Sequence, residues 1–149
     1  MIEDPRPEEV PEALVHVLRH ALHLGLEAVR AHGSPVAPFA LLESEGERRV
    51  EVFRPTDDGQ EPSLEDCLQA MRDRAPLLAF EAERVAVVYD GYLELEETEP
   101  RDAVFAEGIE RGMGTSVTVA QPYLLAGRRR KVRTIGEPIL LEQGRHFIR

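Results

Sequence analysis

The sequence predicts an α+β domain: a mainly antiparallel sheet of five or six strands in a meander, with a long N-terminal helix and a second, shorter helix packed on it. Three observations carry this order, α-β-β-α-β-β-β-β. Apolar residues recur at three- and four-residue spacing through residues 10–28. Short β-like runs separated by glycine and proline turns fill residues 84–141. A helical pattern with its own start signal interrupts the β-like runs near residue 63. Helices and strands held apart in sequence, with short strand connections, indicate an α+β layout.

The first helix is read over Pro7–Ala31, where Val10, Leu14, Val17, Leu18, Ala21, Leu24, Gly25 and Ala28 form one stripe. Proline at its start and His32-Gly33 at its end match the usual asymmetry of helix termini. Val36–Glu43 and Arg48–Arg54 read as the first two strands, and the polar link Ser44-Glu45-Gly46-Glu47 is short enough for a hairpin. Pro55–Pro62 reads as an exposed loop.

The second helix starts at Ser63, with Asp66 three residues on as in a capping box, and places Leu64, Cys67, Leu68 and Met71 on one face before ending ahead of Pro76. Leu77–Glu83 fits either its frayed end or a connection. Further strands follow at Arg84–Glu97, Asp102–Arg111, Thr115–Ala126 and Lys131–Leu141. Within the first of these, Asp90-Gly91 marks either a hairpin or a bulge. Profilin-like and PAS-like domains share this coarse order, a likeness of layout that no motif supports.

At 149 residues the chain fits one domain spanning residues 1–149, with residues 1–6 a flexible acidic tail. The net charge of −10, from 28 acids against 18 bases, repels phosphate backbones and anionic lipid, so nucleic acid and membrane are poor partners. Residues 1–11 lack the basic-then-apolar pattern of an export signal, and Cys67 is the sole cysteine. Both point to a soluble protein of the reducing cytoplasm. Lys131 is the only lysine among bases that are otherwise arginine, a bias that a GC-rich genome produces.

The nucleophile elbow, the P-loop, the zincin pair and paired Cys-x-x-Cys motifs are all missing. Gly112-Met113-Gly114 leads into a strand rather than a helix and reads as a turn. Four clusters remain. On the first helix His16, His20 and His23 fall within an arc of roughly 60° at about 100° per residue, with Glu12 and Glu27 beside them. Neutral imidazoles four apart chelate zinc or another divalent transition metal, and a neighbouring carboxylate can complete or orient the set. Titration of the same histidines near neutrality would make the face sensitive to pH.

Arg128, Arg129, Arg130 and Lys131 form a basic run at a hairpin tip, suited to an acidic partner surface. Asp90, Glu94 and Glu96 share one side of a strand with Tyr92 and read as a solvated outer face. An inward Glu107 near Tyr89, Gln121 and Tyr123 is the best polar pocket, provided that no bulge at Gly108 changes the alternation. Cys67 lies on the apolar side of its helix and reads as an inert buried thiol.

The reading that follows is an interaction or accessory module that self-associates, with a two-fold dimer joining the basic hairpin of one copy to the acidic strand of the other as the expected arrangement. Two alternatives stand beside it. One is a metal-binding protein or metal-dependent enzyme using the histidine face, and the other is a small-ligand sensor with a pocket between helix and sheet.

Overall fold

The computed structural model describes residues 10–33, 36–52, 82–94, 100–113, 116–126 and 131–141. The second-helix expectation at residues 63–75, the loop at 55–62, Cys67 and Arg128 to Arg130 lie outside the described residues.

Helix α1 runs Glu12–His32 and buries Leu14, Val17, Leu18, Ala21, Leu22, Gly25 and Val29. The carbonyl of Pro11 accepts the first helical bond from the Val15 amide at 3.1 Å. Fixed φ and a missing N–H cost little at a helix start, which is why a proline sits there. Fully burying one of these leucines or valines is worth about 1.5–3 kcal/mol, so this one face supplies much of the driving force for docking.

Among the described residues seven strands form one sheet: β1 Phe39–Ser44, β2 Glu47–Val52, β3 Arg84–Leu93, β4 Arg101–Glu110, β5 Val117–Ala126, β6 Lys131–Thr134 and β7 Ile139–Leu140. The spatial order is β2-β1-β3-β4-β5-β6, with β7 also on β5, and every pairing is antiparallel. Strands β3 to β6 follow one another as the expected meander. The β1–β2 hairpin joins through β1, which leaves β2 at the edge.

A two-residue loop makes that hairpin, since Ser44 pairs with Glu47 across Glu45 and Gly46. Both loop residues have positive φ, 53° and 81°. This is the type I′ pattern, whose twist matches the flanking strands, and a non-glycine residue at its first position costs some strain.

Apolar clusters cover both faces of the sheet. Phe39, Leu41, Ala86, Val88, Val104, Ala106, Val117 and Tyr123 pack with α1. Ala40, Leu42, Val85, Val87, Tyr89, Leu93, Ala103, Phe105 and Ala120 form a second cluster on the opposite face. There the rings of Tyr89 and Phe105 stack with centroids 5.2 Å apart. Alternate residues of the central strands are therefore buried on both sides, and they read as continuous apolar runs.

The structure corrects two expectations and meets the condition set at Gly108. Asp90-Gly91 is neither hairpin nor bulge: β3 pairs with β4 without interruption, Asp90 against Val104 and Gly91 against Ala103. No bulge occurs at Gly108, which pairs with Ala86 and Val117 in unbroken register. The last strand is broken in two. Tyr123 pairs with Thr134 and Ala120 with Ile139, so β5 advances three residues while the edge run spends five. The extra residues loop out at Ile135–Pro138, and Gln121 Nε2 donates to the carbonyls of Pro122 at 2.9 Å and Gly136 at 3.3 Å.

Candidate functional site

The histidine face separates once its side chains are placed. Glu12 lies 3.8 Å from His16 Nε2, and Glu27 lies 3.4 Å from Arg30 rather than beside a histidine. His16 and His23 are exposed. His20 leaves them and reaches the sheet, where Arg48 Nη1 stands 2.9 Å from its Nδ1. An arginine has only donors, so Nδ1 accepts and the neutral ring carries its proton on Nε2. Partial burial, the Arg48 charge and the nearby His23 hold His20 below the ordinary histidine pKa, against an opposing pull from Glu43. Among the described residues no group of three or more His, Cys, Asp or Glu is arranged to hold a metal ion.

His20 is the end of a longer chain. Arg48 Nε donates to Glu43 Oε2 at 2.5 Å, Arg84 Nη1 donates to Glu43 Oε1 at 2.7 Å, and Arg84 Nε donates to Glu110 Oε1 at 2.6 Å. These residues are directly opposite one another in register: Arg48 with Glu43, Glu43 with Arg84, Arg84 with Glu110. One row across β2, β1, β3 and β4 thus alternates positive and negative charge, the arrangement in which cross-strand pairs stabilise a sheet.

Burial pushes the Glu43 carboxyl up, but the hydrogen bonds and charges of Arg48 and Arg84 outweigh it and hold the group below the usual carboxylate range. Burial likewise opposes the charge on Arg84, and its bonds to Glu110 and Glu43 win, so its pKa is raised. Glu83 adds a further tie by accepting the Glu45 amide at 2.9 Å. The row and this tie hold the β1–β2 hairpin rigidly against α1, β3 and β4.

Sequence reasoning did not single out Glu43, Arg48, Arg84 or Glu110. Each sits at or near a strand end, and that is the available signal. Only the register reveals that the four are neighbours.

Beyond the row, β2 is open. Val50 is 50% exposed and Val52 57% exposed, and they share the α1 side with Arg48, while Arg49 and Glu51 lie on the other side. Among the described residues no strand pairs with the outer edge of β2. Residues flanking a two-residue hairpin loop form a hydrogen-bonded pair, and such pairs alternate along an antiparallel ladder. Glu47, Arg49 and Glu51 therefore turn their backbone groups toward β1, and Arg48, Val50 and Val52 turn theirs outward.

The other sequence-derived clusters divide. Of the expected pocket, Tyr89 belongs to the face away from α1, where Glu107 also lies next to Phe105, whereas Tyr123 and Gln121 lie on the α1 face. The four do not converge. Glu107 Oε1 accepts from Ser116 Oγ at 3.1 Å. The acidic strand side divides: Tyr92 and Glu94 are exposed as expected, Glu96 lies outside the described residues, and Asp90 is 2% exposed. Its Oδ1 accepts from the Tyr123 hydroxyl at 2.9 Å and its Oδ2 from the Val36 amide at 3.3 Å. A dimer joining the basic hairpin to that strand therefore has no Asp90 to use. Burial and the Asp90 charge together raise the pKa of Asp102. Lys131, the described residue of the basic run, is exposed at the start of β6.

Among the described residues a cavity of about 260 Å3 is lined by Leu42, Ser44, Glu47, Arg48, Arg49 and Ala82. A more apolar one of about 180 Å3 lies between α1 and the β5–β7 edge, bordered by Leu18, Leu22, Val117, Val119 and Leu140. Both are smaller than the roughly 300–1,000 Å3 of typical small-molecule sites. No helix among the described residues is long and apolar enough to cross a membrane. Compared with protein-family models, with curated proteins and with solved structures, the chain matches none.

Proposed function

We propose that this chain is a non-enzymatic interaction module of the cytoplasm whose working surface is the outer edge of β2, where it accepts an extended strand. The observation that carries this reading is the contrast within β2. The strand is held on its inner side by hairpin pairing and by the Arg48–Glu43–Arg84–Glu110 row, and its outer side offers backbone groups beside two half-exposed valines. Strand addition draws affinity from main-chain bonds and specificity from alternate side chains, and both are available there. The charged residues of β2 also limit indiscriminate edge pairing, as natural edge strands do.

The test is hydrogen exchange on the full chain at high dilution. The amides of Arg48, Val50 and Val52 exchange rapidly, while those of Arg49 and Glu51, bonded to β1, are protected. Protection of all five at high dilution would show the edge already covered within the chain and would remove this reading.

A further inference from the structure

We infer that the strand added at this edge is β2 of a second copy, running antiparallel about a two-fold axis perpendicular to the sheet that passes midway between the two copies of Val50. The inference rests on the strand-accepting reading of β2 and supplies its partner. It is carried by the match of the β2 sequence to its own reverse. In a two-fold pair with the axis normal to the sheet, opposite residues lie on the same face, so one residue stands opposite its own copy and the axis falls midway between the two.

With the axis between the two copies of Val50, Val50 meets Val50 of the second copy, Arg48 meets Val52, and Arg49 meets Glu51, each of the last two twice by symmetry. The pairs centred on Val50, and those of Arg48 with Val52, carry outward backbone groups on both copies and can exchange two N–H···O=C bonds each. Arg49 and Glu51 fall in the non-hydrogen-bonded positions, where opposite side chains come closest and opposite charges attract.

Other centres fail on charge. An axis at Arg48, Arg49 or Glu51 places that residue against its own copy, and an axis at Val52 takes Arg49 and Glu51 off each other. The Val50 register also covers the two valines: Val50 packs on its equivalent, and each Val52 lies along the aliphatic stem of the facing Arg48, whose head stays with Glu43. Both copies place α1 on the same side of one continuous sheet, so neither helix obstructs the junction.

The experiment is native mass spectrometry and sedimentation of the full chain from about 1 to 100 μM, on the parent protein, Arg49→Glu, Glu51→Arg and the double variant R49E/E51R. The register predicts a dimer for the parent. It predicts dimerisation weakened about tenfold in each single variant, which sets two like-charged pairs across the axis, and restored dimerisation in the double variant. Thermal unfolding of each variant confirms that Arg49, which is exposed, and Glu51 are changed without loss of the fold.

A parent that dimerises equally with all three variants would overturn the register while leaving self-association intact. Weak dimerisation in the double variant would show that Arg49 and Glu51 do not face each other. A parent that stays monomeric at 100 μM, with the Arg48, Val50 and Val52 amides still exchanging rapidly, would rule out a second copy as the occupant and leave the open edge standing.

Discussion

Replacing Glu43 with Gln tests the charge row at its centre. Both carboxylate oxygens are engaged, Oε2 by Arg48 and Oε1 by Arg84, and the residue is buried. A glutamine keeps one acceptor and turns an N–H2 group toward the other arginine, so one charge-assisted bond is lost and the second becomes a bond to a neutral group. Hydrogen bonds to charged groups contribute about 1.5–3 kcal/mol each, which puts the loss on the order of 3 kcal/mol. For a chain of this size that corresponds to a fall in Tm of roughly 6–12 °C. The pH dependence carries the sign. Glu43 titrates lower in the folded protein than its ordinary 4.5, so its stabilisation is fully present above 4.5 and is lost as pH falls through the depressed folded value. Urea unfolding of parent and Glu43→Gln, followed by circular dichroism from neutral pH down to about 3, should show a gap that closes on acidification. A gap under about 0.5 kcal/mol at neutral pH, or one unchanged by acid, would refute the reasoning, since surface ion pairs of no consequence behave that way.

Two further outcomes follow from packing and burial. Gly25→Ala places a Cβ 2.4 Å from Val104 Cγ1 and 2.9 Å from Val88 Cγ1, both stiff buried side chains, so overpacking of about 1–3 kcal/mol exceeds the gain of about 1 kcal/mol in helix propensity. Equilibrium unfolding should show a net loss, with Gly25→Ala/Val104→Ala losing less than the sum of its singles, and a variant as stable as the parent would sink the close-approach argument. Asp102→Asn should raise Tm at pH 7, because a carboxyl whose folded pKa lies above its ordinary 3.8 disfavours the folded state once ionised. That gain should vanish as pH drops below 3.8, and a lower Tm at pH 7 would contradict the placement of Asp102 beside Asp90.

Much of the local layout was legible without coordinates. The α1 stripe, the 44–47 hairpin and the turn at Gly112-Met113 depend on periodicity and backbone preference, which are properties of a few adjacent residues. The candidate surface was not legible in the same way. The three histidines looked like one group because helical spacing is all that a sequence shows of them, and the sheet drew His20 away to Arg48. Asp90 looked solvated because alternation alone does not say that both faces of β3 are covered. Glu107 and Tyr89 looked like neighbours of Gln121 and Tyr123, but the strand registers place the two pairs on opposite faces.

What the sequence determined by itself is therefore helix α1 and strands β1 to β5, the acidic balance of the chain and the absence of the common catalytic motifs, all of which are local or additive properties. The tertiary structure decided which strand lies at the edge and which charges stand in one row. It also set Val50 and Val52 half-exposed on that edge strand, the surface proposed for association. Those outcomes depend on pairing between residues far apart in the chain. A strand pattern of period two fixes which residues share a face, and leaves open which other strand stands beside it.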